Sequence, residues 1–312
     1  MDPTSVSATS AMTVPLVTVG MPVRNCERHI GQAIESVLAQ SVADLELIVS
    51  DNASTDATPD IVHRFMQRDA RIRYQRFEVN RGVSANWNAV ALAGRGRYFK
   101  WLAASDEMAP NLLEKCLPVL QTRPDVVLVF GLTRWLDADG ESLEVCNKDF
   151  AVLADRPAER FGQVARNLSI NNQINAGVIR MDALRRTRLL GRFPTDDLVL
   201  MAELALIGKI VLLPDELFRR RTGADVSTPN RTALQTALHH DPRASRPNRF
   251  LSLRRQAARY AACWRAPLPL SERLCAALEA TGLLVEAWQR RQSHALAWLT
   301  RAGQATKDSS AP

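Results

Sequence analysis

The 312-residue chain predicts an α/β fold with a mostly parallel central sheet flanked by helices. Three observations carry this expectation. Short apolar runs alternate with segments of helical spacing from residue 16 to residue 123, the pattern of successive βαβ units. The run Leu45–Ser50 ends on Asp51, and the run Tyr98–Leu102 ends just before Asp106. Both acids therefore stand at carboxyl ends of strands, where open α/β sheets bind ligands.

Leu16–Met21 reads as a buried strand and Pro22–Asn25 as the loop after it. Ile30, Ala33, Ile34, Val37 and Leu38 recur at helical spacing and predict a helix over Glu27–Gln40. After the Leu45 strand, Thr58-Pro59 is a helix start with proline at the first helical position. Ile72–Phe77 forms a third strand, Asn80-Arg81-Gly82 a turn, and Ser84–Ala93 a short helix. The Tyr98 strand and a helix across Leu112–Leu120 complete the first half.

Beyond Pro124 the pattern changes. Asp125–Phe130 and Leu132–Leu136 read as strands leading into a hairpin at Asp137–Gly140. A helix over Glu159–Leu168, a strand over Ala176–Arg180 and a helix over Asp197–Ile207 follow, the last ended by Gly208. Lys209–Leu213 and Glu216–Arg221 read as two short strands. From Asp241 the sequence is Arg- and Ala-rich helix, broken by Pro267 and Pro269. The expected organisation is a flexible leader over 1–13, a main domain over 14–240 with halves at 14–125 and 126–240, and a basic helical region over 241–312.

Composition narrows the function. A hydrophobic content of 46% with 23% charged residues supplies a globular core. No apolar run approaches the ~20 residues that span a bilayer, and the polar N-terminus lacks a signal-peptide pattern. Five scattered cysteines without a C-x-x-C spacing read as reduced thiols of a cytoplasmic protein. Residues 243–312 hold twelve Lys/Arg against four Asp/Glu, leaving 28 against 29 elsewhere, so the entire +7 excess lies at the C-terminus. A main body without a basic stripe excludes nucleic acid as the primary ligand. Leu251, Leu253, Trp264, Leu283, Leu284, Trp288, Leu296 and Trp298 among those arginines suit either the anionic face of a membrane or packing on the main domain or a second subunit of a homodimer.

Val17–Asn25, then Leu45–Thr58 with Asp51-Asn52-Ala53-Ser54-Thr55-Asp56 at its centre, resemble the opening of the family 2 glycosyltransferases. Asn80-Arg81-Gly82, Asn88 and Trp101–Asp106 follow in that family's order, and the resemblance runs to about residue 222. It implies a GT-A fold, Rossmann-like in its central sheet, and an inverting glycosyltransferase. A uracil-like base needs an acceptor for its ring N–H, and the resemblance gives this role to Asp51; the plain alternative is an Asx turn closing the strand. Pro22, Arg24 and Asn25 would line the same pocket, with Arg24 where the family often carries an aromatic residue. Arg81, Asn88, Ser105 and Asp106 complete the implied donor-binding set.

A diphosphate leaving group calls for a hard divalent cation, Mg²⁺ or Mn²⁺, on carboxylate oxygens. The family's Asp-rich motif is reduced here to Ala103-Ala104-Ser105-Asp106, so Asp106 is the expected metal ligand, with Glu107 as a compensating acid. Arg219, Arg220 and Arg221 could share the phosphate charge. The pair Asp196-Asp197 resembles the family's acidic pair, with Asp197 as the base that deprotonates the acceptor hydroxyl and Asp196 as the like charge that raises its pKa. Capping of the following helix is the structural alternative for both acids.

The implied reaction moves a sugar from a UDP- or dTDP-linked donor to a hydroxyl of a glycan or glycolipid in cell-surface polysaccharide synthesis. It would take place in the cytoplasm, with peripheral membrane contact through the basic helices. The rival reading is a non-catalytic sugar-nucleotide or glycan-binding module with a degenerate metal motif. A sugar nucleotidyltransferase would need a Gly-rich basic loop after the first strand, which Met21–Asn25 does not provide.

Overall fold

A computed structural model describes residues 14–146, 149–167, 173–223, 232–244, 250–286 and 289. The leader 1–13 and the side chains Trp288, Leu296 and Trp298 lie outside the described residues. The first half alternates β1 (Val17–Val23), α1 (Ile30–Leu38), β2 (Leu45–Asp51), α2 (Thr58–Met66), β3 (Ile72–Arg76), α3 (Val83–Ala93) and β4 (Tyr98–Trp101). The second half contains β5 (Glu107–Met108), α4 (Leu112–Thr122), β6 (Val126–Leu136), β7 (Ser142–Val145), α5 (Pro157–Asn167), β8 (Val178–Arg180), α6 (Met181–Arg185), α7 (Asp196–Ile207) and β9 (Lys209–Arg221). Helices α8 (Ala233–His240), α9 (Leu251–Arg265) and α10 (270–286) follow.

All nine strands join one sheet in the order β3-β2-β1-β4-β8-β6-β9-β5, with β7 on β6. The first four strands pair in parallel, as the βαβ alternation predicts. Antiparallel pairs enter with β8, which lies between β4 and β6. Two expectations change here. The runs 125–130 and 132–136 form one strand, β6, and the runs 209–213 and 216–221 form one strand, β9. Each pair is joined by register shifts at Gly131 and Leu132 in the β6–β9 ladder, local irregularities that a sequence reads as breaks.

Alternation in β1 sends Val17, Val19, Met21 and Val23 into the apolar layer under α1 and α4. The opposite face meets α3: a Cβ on Gly20 would lie 2.7 Å from Val90, so only glycine lets α3 approach so closely. Phe99 and Trp101 of β4 point to a second layer built with α5, α6 and α7. Ala262 and Cys263 of α9 and Ala276, Ala280 and Leu283 of α10 are buried in that same layer. The C-terminal helices are therefore packed on the main domain. Arg265 reaches Glu203 of α7 at 3.1 Å, and Arg166 of α5 reaches Glu279 of α10 at 2.6 Å. Among the described residues no helix is long and apolar enough to cross a membrane.

Candidate active site

A cleft of about 660 Å³ opens at the carboxyl ends of β1, β2 and β4. Its wall includes Pro22 near the end of β1, Arg24 and Asn25 after it, Asn52 and Asp56 after β2, Asn86 and Trp87 on α3, Ala103–Ser105 after β4, and His239 on α8. Parallel pairing of β1 with β2 and β4 brings these strand ends to one edge. The cleft thus gathers four of the expected donor-binding residues: Pro22, Arg24, Asn25 and Ser105.

The other four expected donor-binding residues are placed differently. Asp51 is fully buried; one carboxylate oxygen accepts the Ser54 N–H at 2.8 Å and the other the Tyr74 hydroxyl at 2.7 Å. Arg76 lies 3.6 Å from the second oxygen. Asp51 thereby folds the 51–56 loop from behind the wall. Asn88 clips α3 to the 189–191 loop, donating to the Leu190 carbonyl at 2.7 Å and accepting its N–H at 2.9 Å. Arg81 is exposed, with its guanidinium 4.3 Å from the Phe77 ring centroid. Asp106 sits just beneath the wall and is 6% exposed.

Asp106 is the electrostatic centre of this edge. Burial pushes its carboxyl up to about 6, against the opposing pull of Arg220, the Arg221 N–H, the Ser105 hydroxyl and Lys100. The Ser105 hydroxyl donates to it at 3.2 Å and the Arg221 backbone N–H at 3.3 Å. Lys100 is wholly buried beside it, donating to the Ala176 carbonyl with its Nζ 4.5 Å from the Phe218 ring centroid. Burial lowers the Lys100 ammonium to about 8. Glu107, expected as a second metal acid, pairs instead with Arg221 at 3.0 Å and Arg219 at 3.8 Å, so its charge is already compensated. Among the described residues no group of three or more His, Cys, Asp or Glu side chains is placed to hold a metal ion.

The acidic pair lies at the start of α7. Asp196 is buried; its carboxylate is held by the Arg188 guanidinium and the Gly191 N–H. Asp197 is half-buried. Burial raises its carboxyl above the usual range, the Leu198 N–H and its own N–H oppose this, Asp196 adds to it, and Arg220 opposes it. Arg220 therefore feels both Asp106, after β4, and Asp197, on α7. Its guanidinium donates to Gln173 Oε1 at 2.6 Å and lies 5.6 Å from the Trp135 ring centroid. The residue before the pair, Thr195, has φ 63°, a left-handed conformation costly for a β-branched side chain. Arg255 of α9 fixes it by donating to Thr195 Oγ1 at 2.6 Å.

Several wall residues carried no assignment in the sequence. Asn52 and Asp56 lie inside the Asp51–Thr58 segment and were legible as neighbours of a strand-end acid. Asn86 and Trp87 sit on a short helix with no local signal. His239 is different: with His240 it reads in the sequence as a surface pair, or as a stand-in for the metal-ligating histidine that the family resemblance implies and Thr222-Gly223 replaces. It comes from α8, whose end packs against Gly82, where φ is 87° and a Cβ would lie 2.6 Å from the His240 carbonyl oxygen. Cys26 also lines the cleft, where burial raises its thiol, the reverse of the shift that activates a nucleophile.

Residues 18–150 match the family described as Glycosyl transferase family 2. Over 127 residues the chain is 31% identical to a chondroitin synthase of Escherichia coli, covering 41% of this chain and 18% of that protein. Over 223 residues it is 25% identical to the glycosyltransferase GlyG of Streptococcus pneumoniae, covering 68% and 73%. The chain spans less than a fifth of the length of the chondroitin and hyaluronan synthases it matches. Among solved structures, S. aureus TarS 1–349 in complex with UDP-GlcNAc superposes with a TM-score of 0.58 at 14% identity, covering 82% of this chain and 69% of that one, a likeness of fold. Residues 18–150 thus resemble the family 2 glycosyl transferases in sequence, and the chain shares its fold with TarS.

Proposed function

We propose that this protein transfers a sugar, with inversion, from a UDP- or dTDP-linked donor to a hydroxyl of a glycan or glycolipid acceptor used in polysaccharide synthesis. The observation that carries the reading is the cleft at the strand ends, walled by Pro22, Arg24, Asn25 and Ser105, in a chain whose residues 18–150 match Glycosyl transferase family 2. Pro22, Arg24, Asn25 and Ser105 would contact the donor directly. Asp51 and Asn88 would support that wall from behind, and Arg81 would lie at its outer rim.

The donor set at Asp106 fits a hard divalent cation. Mg²⁺ is commonly held by one or two carboxylates together with substrate phosphates. Burial raises the Asp106 carboxyl, and a cation beside it would favour the ionised form. Asp106 would hold Mg²⁺ or Mn²⁺ with the donor's phosphates, and the ion would neutralise the departing diphosphate. Arg220 would add a fixed positive charge on the same side. Asp197 would take the proton of the acceptor hydroxyl as that oxygen attacks the anomeric carbon from the face opposite the diphosphate. A base raised by burial and by Asp196 is better matched to that proton than an ordinary carboxylate. Asp196, spent on Arg188 and Gly191, would orient the helix start rather than move a proton.

The reaction would run in the cytoplasm, with the basic C-terminal region as the contact to an anionic membrane or a second copy. The test is a thermal-shift and hydrolysis screen with nucleotide sugars, with and without Mn²⁺. Metal-dependent stabilisation by a UDP- or dTDP-sugar, with slow release of the nucleotide, is expected. Stabilisation without any release would favour the binding-module reading.

A further inference from the structure

Four asparagines line the cleft, and three of them spend their side-chain oxygens on the protein. Asn25 Oδ1 accepts the Thr55 N–H at 2.8 Å, Asn52 Oδ1 the Arg81 N–H at 2.7 Å, and Asn80 Oδ1 the Gly82 N–H at 2.9 Å. Asn86 differs. It is 3% exposed, its Nδ2 donates to the Val23 carbonyl at 3.1 Å, and its Oδ1 has no hydrogen-bond partner among the described residues. The Nδ2 bond fixes which end of the amide is which, so the unpaired end is an acceptor. A buried acceptor left without a donor is costly, and such atoms in folded proteins call for an explanation.

The place of this oxygen says what it is for. The Val23 carbonyl that receives Nδ2 also receives the Asn52 N–H at 2.9 Å, so Asn86 is tied to the junction of the β1 and β2 ends. Ser105 and Asp106, the expected phosphate side, follow β4 on the other side of β1. Meanwhile Asp51, expected as the acceptor for a base N–H, has both oxygens occupied by Ser54 and Tyr74. We propose that Asn86 Oδ1 is the specificity-determining acceptor for the base, receiving the ring N3–H of uracil or thymine. This rests on the donor class given above and names the residue that reads it. Uracil and thymine each present one imide donor, which a single locked amide oxygen matches. Cytosine places a lone pair at that position, and guanine is a larger purine that presents two adjacent donors in place of one.

Titration calorimetry on the full chain with UDP, dTDP, CDP, GDP and N3-methyl-UDP tests this. Wild type should bind UDP and dTDP at least tenfold more tightly than CDP, GDP or N3-methyl-UDP, equivalent to about 1.4 kcal/mol. Asn86→Leu, nearly equal in shape, should weaken UDP about tenfold, leave CDP unchanged, and bring the five ligands within threefold of one another. The N3-methyl comparison needs no variant and stands even if Asn86→Leu fails to fold. Equal wild-type affinity for UDP and N3-methyl-UDP would overturn the proposal, as would parallel loss of UDP and CDP in the variant, the sign of a purely structural role or a bound water. If wild type bound none of the diphosphates, the glycosyltransferase reading would fall as well, whereas tight UDP binding indifferent to Asn86 would overturn only this inference.

Discussion

Asp106→Asn should make the metal-free protein more stable at neutral pH while removing its response to metal and donor. The carboxyl is 6% exposed, and burial raises it from 3.8 to about 6. Below pH 3.8 it is protonated in folded and unfolded chains alike, so it carries no penalty there. Between 3.8 and 6 the unfolded chain ionises first, and the folded state loses ground. Above 6 the full difference of about two pH units persists, roughly 3 kcal/mol at 1.36 kcal/mol per unit. Asparagine keeps the acceptor for Ser105 and the Arg221 N–H but has no charge to bury. Urea unfolding should therefore show the variant ahead by about 0.5 kcal/mol at pH 4 and about 3 kcal/mol at pH 8. Mn²⁺ with a UDP-sugar should stabilise wild type at pH 8 and leave the variant unmoved. An advantage that does not vary with pH, or a variant less stable than wild type at pH 8, would refute the burial argument.

Three further outcomes follow from the geometry. Asp196→Ala should destabilise by about 1.5–3 kcal/mol in denaturant titration, because the half-buried Arg188 guanidinium loses its charge-assisted bond and keeps Glu203 at 4.0 Å. Arg255→Ala, which frees the left-handed Thr195, should lower kcat at an unchanged donor KM, and a Thr195→Gly background should return much of the loss. The acid limb of kcat/KM should lie above the ordinary carboxylate range, because Asp197 must be ionised to accept a proton and its carboxyl is raised; activity falls as pH drops through that value.

Much of the first half was legible because its information is local. Alternating apolar runs gave β1 to β4, and strand-end acids marked the edge where the cleft opens. The chemistry of single side chains was less legible, since it depends on partners distant in sequence. Asp51 looks like a free strand-end carboxylate until Tyr74, 23 residues on, donates to it. Asn88 reads as a donor contact until Leu190, 102 residues away, closes on it. Glu107 reads as a spare acid until β5 pairs with β9 and sets Arg219 and Arg221 against it. Lys100 stands in an apolar strand with nothing nearby in sequence to announce Asp106 or the Ala176 carbonyl as its neighbours. The unpaired oxygen of Asn86 has no sequence signature, because it is defined by a bond that is missing.

The most direct measurement of the central claim pairs donor affinity with turnover in Asp197→Asn. Calorimetry with a UDP- or dTDP-sugar and Mn²⁺ should give a Kd within threefold of wild type, while nucleotide release with acceptor present falls by about 10²-fold or more. Unchanged turnover, or affinity lost in step with turnover, would contradict an active site in which the first half of the chain holds the donor and Asp197 supplies the base.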